Sequence, residues 1–328
     1  MKLGIIGKGM IVQSFLPMFA QVKDLEVTAL MASPGKERET AEFCATHGIP
    51  HCVESLEKMM DCGVEAVYVA SPNSLHFAHC KEALELGLDV ICEKPLCSNW
   101  AETRQLADLA KEKQRFLFEA ITTLHLPNYH QIQELLPRIG RIKLVQSLFC
   151  QYSRRYDAFL KGEVHPVFDP EKSGGALMDL GIYNLHFVMD LFGMPKSIQY
   201  LANVERGIDT SGILTMAYPD FSAVCVAAKE CAGMNGCLIQ GTLGVIRTAL
   251  QPSLIGEVRL ELNDGTVETY DDGSARNRAV PEFQVFCDAI KAKNLDFCYQ
   301  VLEKTLDTAA VLTQARAQAG IYFPCDKQ

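Results

Sequence analysis

Residues 1–12 read MKLGIIGKGMIV, an apolar run that is followed at once by a glycine turn. The β-type run Lys2–Ile6 predicts a buried strand, and Gly7 and Gly9 permit a tight turn in which backbone N–H groups can approach an anion. Met10 and Ile11 then begin a helical pattern, so the turn lies at the positive end of a helix. A strand, turn and helix in this order are typical of a site for the pyrophosphate of a dinucleotide.

The turn departs from the usual three-glycine fingerprint, because Val12 stands where the third glycine is expected. An ordinary glycine-containing turn between a strand and a helix is the alternative interpretation. The segment after the second predicted strand lacks the carboxylate that would hold a free ribose 2′-hydroxyl, and it offers Ser33, Lys36 and Arg38 instead. These residues favour NADP over NAD, although Lys36 and Arg38 also fit the solvated first turn of a helix.

The remaining pattern predicts an α/β protein with two domains. Short apolar runs alternate with amphipathic helical stretches over the first 120 residues, which is typical of a doubly wound parallel (Rossmann) sheet. Longer strands and hairpin signals such as Asn263-Asp264-Gly265 follow, and they favour an α+β domain on a largely antiparallel open sheet. We therefore expect an NAD(P)-binding domain over 1–120 and a substrate-binding and dimerisation domain over 121–328.

Composition excludes several classes of partner. The net charge of -9 repels phosphate backbones, and no apolar run approaches the roughly 20 residues of a membrane span, so we expect neither nucleic acid nor membrane as a partner. Thirteen cysteines form no CxxC pair, and the first residues resemble no export signal. These features favour reduced thiols and a cytoplasmic location.

Two longer segments are more specific. Residues 66–76 read AVYVASPNSLH and are followed by VICEKPL at 90–96, and residues 174–186 read GGALMDLGIYNLH. In order and spacing they resemble the Gfo/Idh/MocA family of oxidoreductases, over essentially the whole chain. Tyr183 stands where most members carry histidine. In this respect the chain is similar to the branch that contains glucose-fructose oxidoreductase and dimeric dihydrodiol dehydrogenase, which prefers NADP.

The resemblance implies roles for individual residues. Lys94 would lie beside the nicotinamide and the reacting carbon, and Asp179 matches the aspartate of the family's Asp-x-Gly-x-His motif. The remaining cofactor-binding residues implied by the resemblance are Ser71, Pro72, Asn73, His76 and Glu93.

The residues themselves support a chemistry for this set. Within a predicted helix over Gly175–Phe192, Asp179 and Tyr183 are four residues apart and share one face, with His186 close to the same stripe. A phenol is a poor base at neutral pH unless a nearby ammonium favours its ionised form. We therefore expect Tyr183 to act as acid and base, Lys94 to assist it, and Asp179 to orient Lys94 or the substrate. The alternative is that Tyr183 is half-buried core and Asp179 a surface residue.

Substrate contacts and association are expected in the second domain. Arg154 and Tyr156 follow a predicted strand near the expected cleft, and His186 is a further candidate for substrate binding. We expect no metal site. Apolar residues on both faces of the second sheet, for example Val226 and Leu238, predict a homodimer or a higher homo-oligomer.

Three functions fit these features. The first is a dehydrogenase or reductase that uses NADP or NAD on a sugar, a sugar derivative or a cyclic diol, so that the partner is a small polyhydroxylated substrate. The second is a non-catalytic dinucleotide-binding regulatory protein of the same fold, and the third is a scaffold protein. Lys94, Asp179 and Tyr183 favour the enzyme, because a regulator has no need of them.

Overall fold

The computed structural model describes residues 1–327, which divide into two compact units. The first contains Met1–Ala120 and Ala279–Leu306, and the second contains Ile121–Arg278 and Asp307–Lys327. The expected division placed all residues after 120 in the second domain, whereas residues 279–306 pack with the first unit.

The first unit is built on a six-stranded parallel sheet with the strand order β3-β2-β1-β4-β5-β6, the doubly wound order of dinucleotide-binding folds. Its strands are β1 (Lys2–Ile6), β2 (Glu26–Met31), β3 (His51–Val53), β4 (Ala66–Val69), β5 (Asp89–Glu93) and β6 (Leu117–Ala120). The helices between them are α1 (Met10–Phe19), α2 (Glu37–His47), α3 (Leu56–Asp61), α4 (His76–Glu85) and α5 (Trp100–Lys113). The predicted Rossmann architecture is confirmed.

Apolar faces hold these elements against the sheet. Phe19 of α1, Tyr68 of β4 and Phe283 form a buried aromatic group, in which the Phe19 and Phe283 ring centroids are 4.5 Å apart. Phe283 belongs to a helix over Ala279–Lys291, and this packing explains why that late segment joins the first unit. The N-terminus of α5 is capped, because the Asn99 side chain accepts a hydrogen bond from the Glu102 N–H at 2.9 Å.

The second unit is built on an eight-stranded sheet with the order β14-β13-β12-β11-β7-β10-β9-β8. Its strands are β7 (Ile142–Cys150), β8 (Ser197–Glu205), β9 (Ile208–Ala217), β10 (Ser222–Ala228), β11 (Gly236–Gly241), β12 (Gly244–Thr248), β13 (Val258–Leu262) and β14 (Val267–Tyr270). The later helices of the chain are α6 (Pro127–Leu135), α7 (Arg154–Leu160), α8 (Ile182–Phe192), α9 (Ala279–Lys291) and α10 (Leu295–Gln318).

The sheet of the second unit is antiparallel except between β7 and β10, which run parallel. The largely antiparallel sheet that the sequence predicts is therefore confirmed. Helix α8 packs on one face of the sheet and is fixed there by Asn184, which accepts from the Ser147 hydroxyl and donates to the Val226 carbonyl, both at 2.9 Å. The long helix expected over Gly175–Phe192 is present from Ala176 onward, and its first part, Leu177–Gly181, is a π-helical turn that continues directly into α8.

Candidate active site

The glycine turn between β1 and α1 fits an anion. Gly7 has a φ of +107°, and a Cβ atom there would lie 2.4 Å from the Ala70 carbonyl oxygen, so only glycine fits. Gly9 is the N-cap of α1 with no side-chain hydrogen bond, and no atom lies within 4 Å of its missing Cβ. Val12, at the third glycine position, is buried in the core, whereas Met10 is exposed and Ile11 half-buried. The N–H groups that begin α1 therefore suit a dinucleotide pyrophosphate.

The loop after β2 contains the three residues expected to recognise a 2′-phosphate, and all three are exposed. The two cations are not isolated, because Lys36 Nζ lies 3.4 Å from Glu39 and Arg38 Nε lies 3.0 Å from Glu42. Glu39 also lies 2.7 Å from the ammonium of Lys8 in the glycine turn. The basic character of this loop is thus balanced by carboxylates of α2, which were not considered in the sequence analysis.

His76 connects two loops at the carboxyl ends of β4 and β5. Its Nδ1 lies 2.8 Å from the Pro95 carbonyl oxygen and its Nε2 lies 2.8 Å from the Ser71 carbonyl oxygen. Burial lowers the pKa of His76, so its neutral ring carries one N–H and donates to one carbonyl at a time. Because His76 has no exposed surface, its contribution to a cofactor site is to position Ser71 and Pro95.

The loop after β4 has a second internal contact. The Ser71 hydroxyl lies 2.9 Å from Nδ1 of His79, Pro72 is exposed, and Asn73 is half-buried at the start of a short 3-10 turn over Asn73–Leu75. The loop therefore presents Pro72 and Asn73 at the surface of the first unit, while His76 holds its backbone and His79 holds the Ser71 side chain.

Lys94 follows β5 and is the one partly exposed residue in the otherwise buried stretch 88–99. The residues on each side of it are fixed. Glu93 is buried and accepts a hydrogen bond from the Tyr68 hydroxyl, and the Leu96 N–H donates to the Glu119 carboxylate at 2.8 Å. The Lys94–Pro95 peptide bond is cis. A lysine between two anchored neighbours has a defined direction, which suits a group that must lie beside a reacting carbon.

Asp179 and Tyr183 share one face, as the spacing predicts. Between residues 173 and 189 they are the two residues that are partly exposed, and every other residue of that stretch is buried. Tyr183 packs against Phe149 of β7, with ring centroids 6.0 Å apart. The phenol and the carboxylate therefore emerge side by side from an apolar surface of the second unit.

The π-helical turn that carries Asp179 is held by Asp209 of β9. The Asp209 carboxylate accepts from the Leu177 N–H and from the Tyr200 hydroxyl, each at 2.7 Å. A Cβ atom on Gly175 would lie 2.2 Å from Asp209 Oδ1, so the close approach requires glycine. Burial raises the pKa of Asp209 to about 6.

Lys229, directly after β10, is the functional candidate that sequence reasoning missed. Its ammonium pairs with the Asp179 carboxylate and lies 5.6 Å from the centre of the Phe168 ring. The Lys229 side chain is only 5% exposed, against 28% for Asp179. Asp179 therefore has an ammonium partner within its own unit, and Lys94 is not needed to supply one.

His165 lies near this ion pair. Burial lowers the pKa of His165, and the charges of Arg155 and Lys229 act in the same direction while Asp179 opposes them. Its Nδ1 accepts from the Val167 N–H at 3.4 Å, which leaves the Nε2 atom to carry the proton of the neutral ring. His165 is partly exposed and can therefore donate to a ligand at this surface.

The three residues expected to contact substrate have different surroundings in the structure. Arg154 is exposed at the start of α7, and the Tyr156 hydroxyl donates to Glu205 at 2.7 Å, which raises the pKa of Tyr156 to about 12. His186 is only 2% exposed and lies in the buried part of α8, 184–189. It points away from the partly exposed side of α8, so the expected stripe of three residues contains Asp179 and Tyr183 but not His186.

Comparison with known proteins gives three kinds of match. Residues 1–121 match a family model described as an oxidoreductase family with an NAD-binding Rossmann fold, and residues 129–247 match the GFO/IDH/MocA C-terminal domain. A scyllo-inositol 2-dehydrogenase (NADP(+)), IolU of Bacillus subtilis (strain 168), is 36% identical over 99% of each chain. A trans-1,2-dihydrobenzene-1,2-diol dehydrogenase of Oryctolagus cuniculus is 26% identical over 98% of this chain and 100% of that one.

Solved structures share the fold over the full length. KijD10, a 3-ketoreductase from Actinomadura kijaniata solved with NADP and TDP-benzene, superposes with a TM-score of 0.83 at 23% identity over 99% of each chain. A levoglucosan dehydrogenase in complex with NADH and levoglucosan superposes with a TM-score of 0.81 at 18% identity, covering 97% of this chain and 98% of that one. At these identities the likeness establishes the architecture of both units.

Proposed function

Because this chain belongs to the Gfo/Idh/MocA family of oxidoreductases, we propose that it transfers hydride between a nicotinamide cofactor, preferably NADP, and a small polyhydroxylated substrate. The reacting carbon bears a hydroxyl or a carbonyl group, in a sugar, a sugar derivative or a cyclic polyol. The proposal rests on Asp179 and Tyr183, which are the two partly exposed residues of the otherwise buried stretch 173–189. A scaffold has no use for a carboxylate and a phenol held in this way.

The nicotinamide would accept or supply the hydride, and the chain's own residues would manage the proton and the charges. Tyr183 takes the proton from the substrate hydroxyl in the oxidative direction and returns it in the reductive direction. Lys94 favours the ionised phenol electrostatically. Asp179 accepts a hydrogen bond from a neighbouring substrate hydroxyl, since its charge is already balanced by Lys229.

Cofactor choice rests on the loop after β2. Residues 30–35 include no carboxylate, and Lys36 follows with Lys8 nearby in the glycine turn. A 2′-phosphate requires cations at this position, whereas a free 2′-hydroxyl is usually held by an acidic residue at the end of the second strand. IolU, a relative with 36% identity, carries NADP(+) in its name, which agrees with this preference.

The same proposal includes association through the outer face of the second sheet. Leu201, Ile213, Val226 and Leu148 are direct cross-strand neighbours on β8, β9, β10 and β7, so they form one row on one face. Leu201 is 59% exposed and Ile213 is 43% exposed. Ile239 of β11 and Ile246 of β12 are buried in the core on the other face of the sheet. An exposed apolar row of this kind fits a homodimer interface.

We also propose a cytoplasmic location, because thirteen cysteines without a disulfide pattern are typical of a reducing compartment. Within residues 1–327, the structure contains no helix of the length and apolar character that crossing a bilayer demands.

A substrate screen tests the proposed function. The purified protein is incubated with aldoses, inositols, other cyclic polyols and dihydrodiols with NADP+ or NAD+, and with keto-sugars and NADPH or NADH, while nicotinamide absorbance is followed. We expect turnover with at least one polyol or sugar, faster with NADP+ than with NAD+ at equal concentration. Tight dinucleotide binding without turnover on any of these classes would contradict the enzyme and favour the regulatory protein.

A further inference from the structure

Glu39 of α2 bridges two lysines that come from different parts of the first unit. Its Oε1 lies 2.7 Å from the ammonium of Lys8, between the two glycines of the phosphate-binding turn. Its Oε2 lies 3.4 Å from the ammonium of Lys36, at the end of the loop after β2. One carboxylate thus holds together the two loops that a dinucleotide must contact at the adenosine side.

The members of this group differ in their access to water. The side chain of Lys8 is 23% exposed and its Nζ atom is enclosed, whereas Lys36 and Glu39 are about equally well exposed. An enclosed ammonium needs an anionic partner, but an exposed carboxylate returns to water at little cost. Lys8 therefore requires an anion, and Glu39 is a replaceable one.

The neighbouring charges are occupied by other contacts. Arg38 pairs with Glu42, and Glu37 accepts from the Gly35 N–H at 2.8 Å. The two lysines hold the pKa of Glu39 below its usual value, Lys8 having the larger effect, so its carboxylate is ionised at neutral pH. Lys8, Lys36 and Glu39 together carry one net positive charge.

We propose that Lys8 and Lys36 bind the 2′-phosphate of NADP, and that Glu39 is its internal competitor, which leaves both lysines when the phosphate binds. A phosphate has three terminal oxygens and more negative charge than a carboxylate, so it can replace Glu39 at both ammonium groups. This inference rests on the proposed use of NADP.

Calorimetric titration of NADP+ and NAD+ into the full-length protein tests the inference. Glu39→Gln removes the competing charge, so NADP+ should bind about 3- to 10-fold more tightly, given charge separations of several ångströms in water with ordinary screening. NAD+ lacks the phosphate, so its affinity for the Glu39→Gln variant should differ from the wild-type value by less than about 2-fold. Lys36→Met should weaken the binding of NADP+ by roughly 10-fold and leave the affinity for NAD+ unchanged.

The matched control is Asp61→Asn. Lys58 and Asp61 form an exposed ion pair of the same i,i+3 spacing at 3.6 Å on α3, away from the glycine turn. This control should change neither affinity.

The outcomes separate the two proposals. If the wild-type protein binds NAD+ as tightly as NADP+, the cofactor preference of the proposed function fails, whatever Glu39→Gln does. If the wild type prefers NADP+ and Glu39→Gln leaves the NADP+ affinity unchanged, the internal competitor is overturned and the preference stands. If Glu39→Gln weakens the binding of NAD+ and leaves that of NADP+ unchanged, the internal competitor is also overturned, because Glu39 would then hold the ribose hydroxyl of NAD+.

Discussion

Lys229 and Asp179 form an ion pair in which the cation is nearly enclosed and the carboxylate is partly open to water. The pair joins the end of β10 to the π-helical turn before α8. The Lys229 backbone is fixed as well, because its N–H donates to the Thr210 carbonyl at 2.8 Å. The carboxylate beside Tyr183 therefore has a charge partner whose position is set by the sheet.

The difference in burial predicts unequal costs for breaking the pair. Asp179→Asn leaves an enclosed ammonium without its counter-charge, which typically costs about 3 to 5 kcal/mol. Lys229→Met leaves a carboxylate that water can reach, so we expect the free energy of unfolding to fall by only about 1 to 2 kcal/mol. Urea unfolding at neutral pH measures both changes.

The double variant supplies the control for this prediction. Asp179→Asn combined with Lys229→Met should be more stable than Asp179→Asn alone, because no buried charge remains. Strictly additive losses in the double variant would show that the pair contributes no coupling to the fold, and equal losses for the two single variants would contradict the predicted effect of burial.

Asp209 predicts a pH dependence of stability. Its pKa is about 6 in the folded protein against an ordinary value of 3.8, so the ionised form is disfavoured in the fold. Between these values the folded state binds more protons than the unfolded state, and stability contributed by this group falls as the pH rises from 4 to 6. Asp209→Asn should therefore gain stability relative to the wild type over that window, by on the order of 3 kcal/mol.

Urea midpoints of both proteins, followed by circular dichroism across this pH range, check the prediction. Their difference isolates Asp209 from groups of opposite sign such as His125, whose pKa burial lowers to about 4. A difference that stays constant from pH 4 to 6 would mean that Asp209 titrates normally in the fold.

The outer row of the second sheet predicts a way to separate protomers. Ile213→Arg places a charge in the middle of the row, and desolvating it at an interface would cost several kcal/mol, so the protein should become monomeric at about 10 µM. Leu160→Arg is the control, since Leu160 is 54% exposed on α7 and lies outside the row. Sedimentation velocity distinguishes the species. If the wild-type protein sediments as a monomer at this concentration, the proposed homodimer is wrong.

Local patterns predicted much of the first unit. The strand β1, the glycine turn and the start of α1 occupy the expected residues, because short-range periodicity and glycine chemistry determine them. The spacing of Asp179 and Tyr183 also sufficed to place both on one accessible face, even though the turn that contains Asp179 is π-helical.

Other features depend on contacts between distant residues. The pattern of Ala279–Lys291 predicts a helix with a buried face but does not say which sheet covers it. Lys229 meets Asp179 because the helical turn packs on the end of β10, where Ala176 and Leu180 cluster with Ala227, and no local sequence pattern predicts this contact. The bridge from Glu39 to Lys8 likewise joins helix α2 to the glycine turn, which lies far from it in the chain.

We expect Tyr183 to move the proton during turnover and Lys94 to assist it. Tyr183→Phe keeps the ring that packs on Phe149 and removes the hydroxyl, and Lys94→Met removes a charge at similar length. Tyr218→Phe is the matched control, because its hydroxyl donates to the Gly193 carbonyl in a structural contact.

The decisive measurement is the pH profile of turnover for these variants and the wild type, on the best substrate of the screen, with NADP+ affinity determined in parallel. Tyr183→Phe should lower turnover about 10²- to 10⁴-fold with NADP+ affinity preserved. Lys94→Met should also lower turnover and move its rise to higher pH. Near-normal turnover of Tyr183→Phe at all pH values would contradict the account.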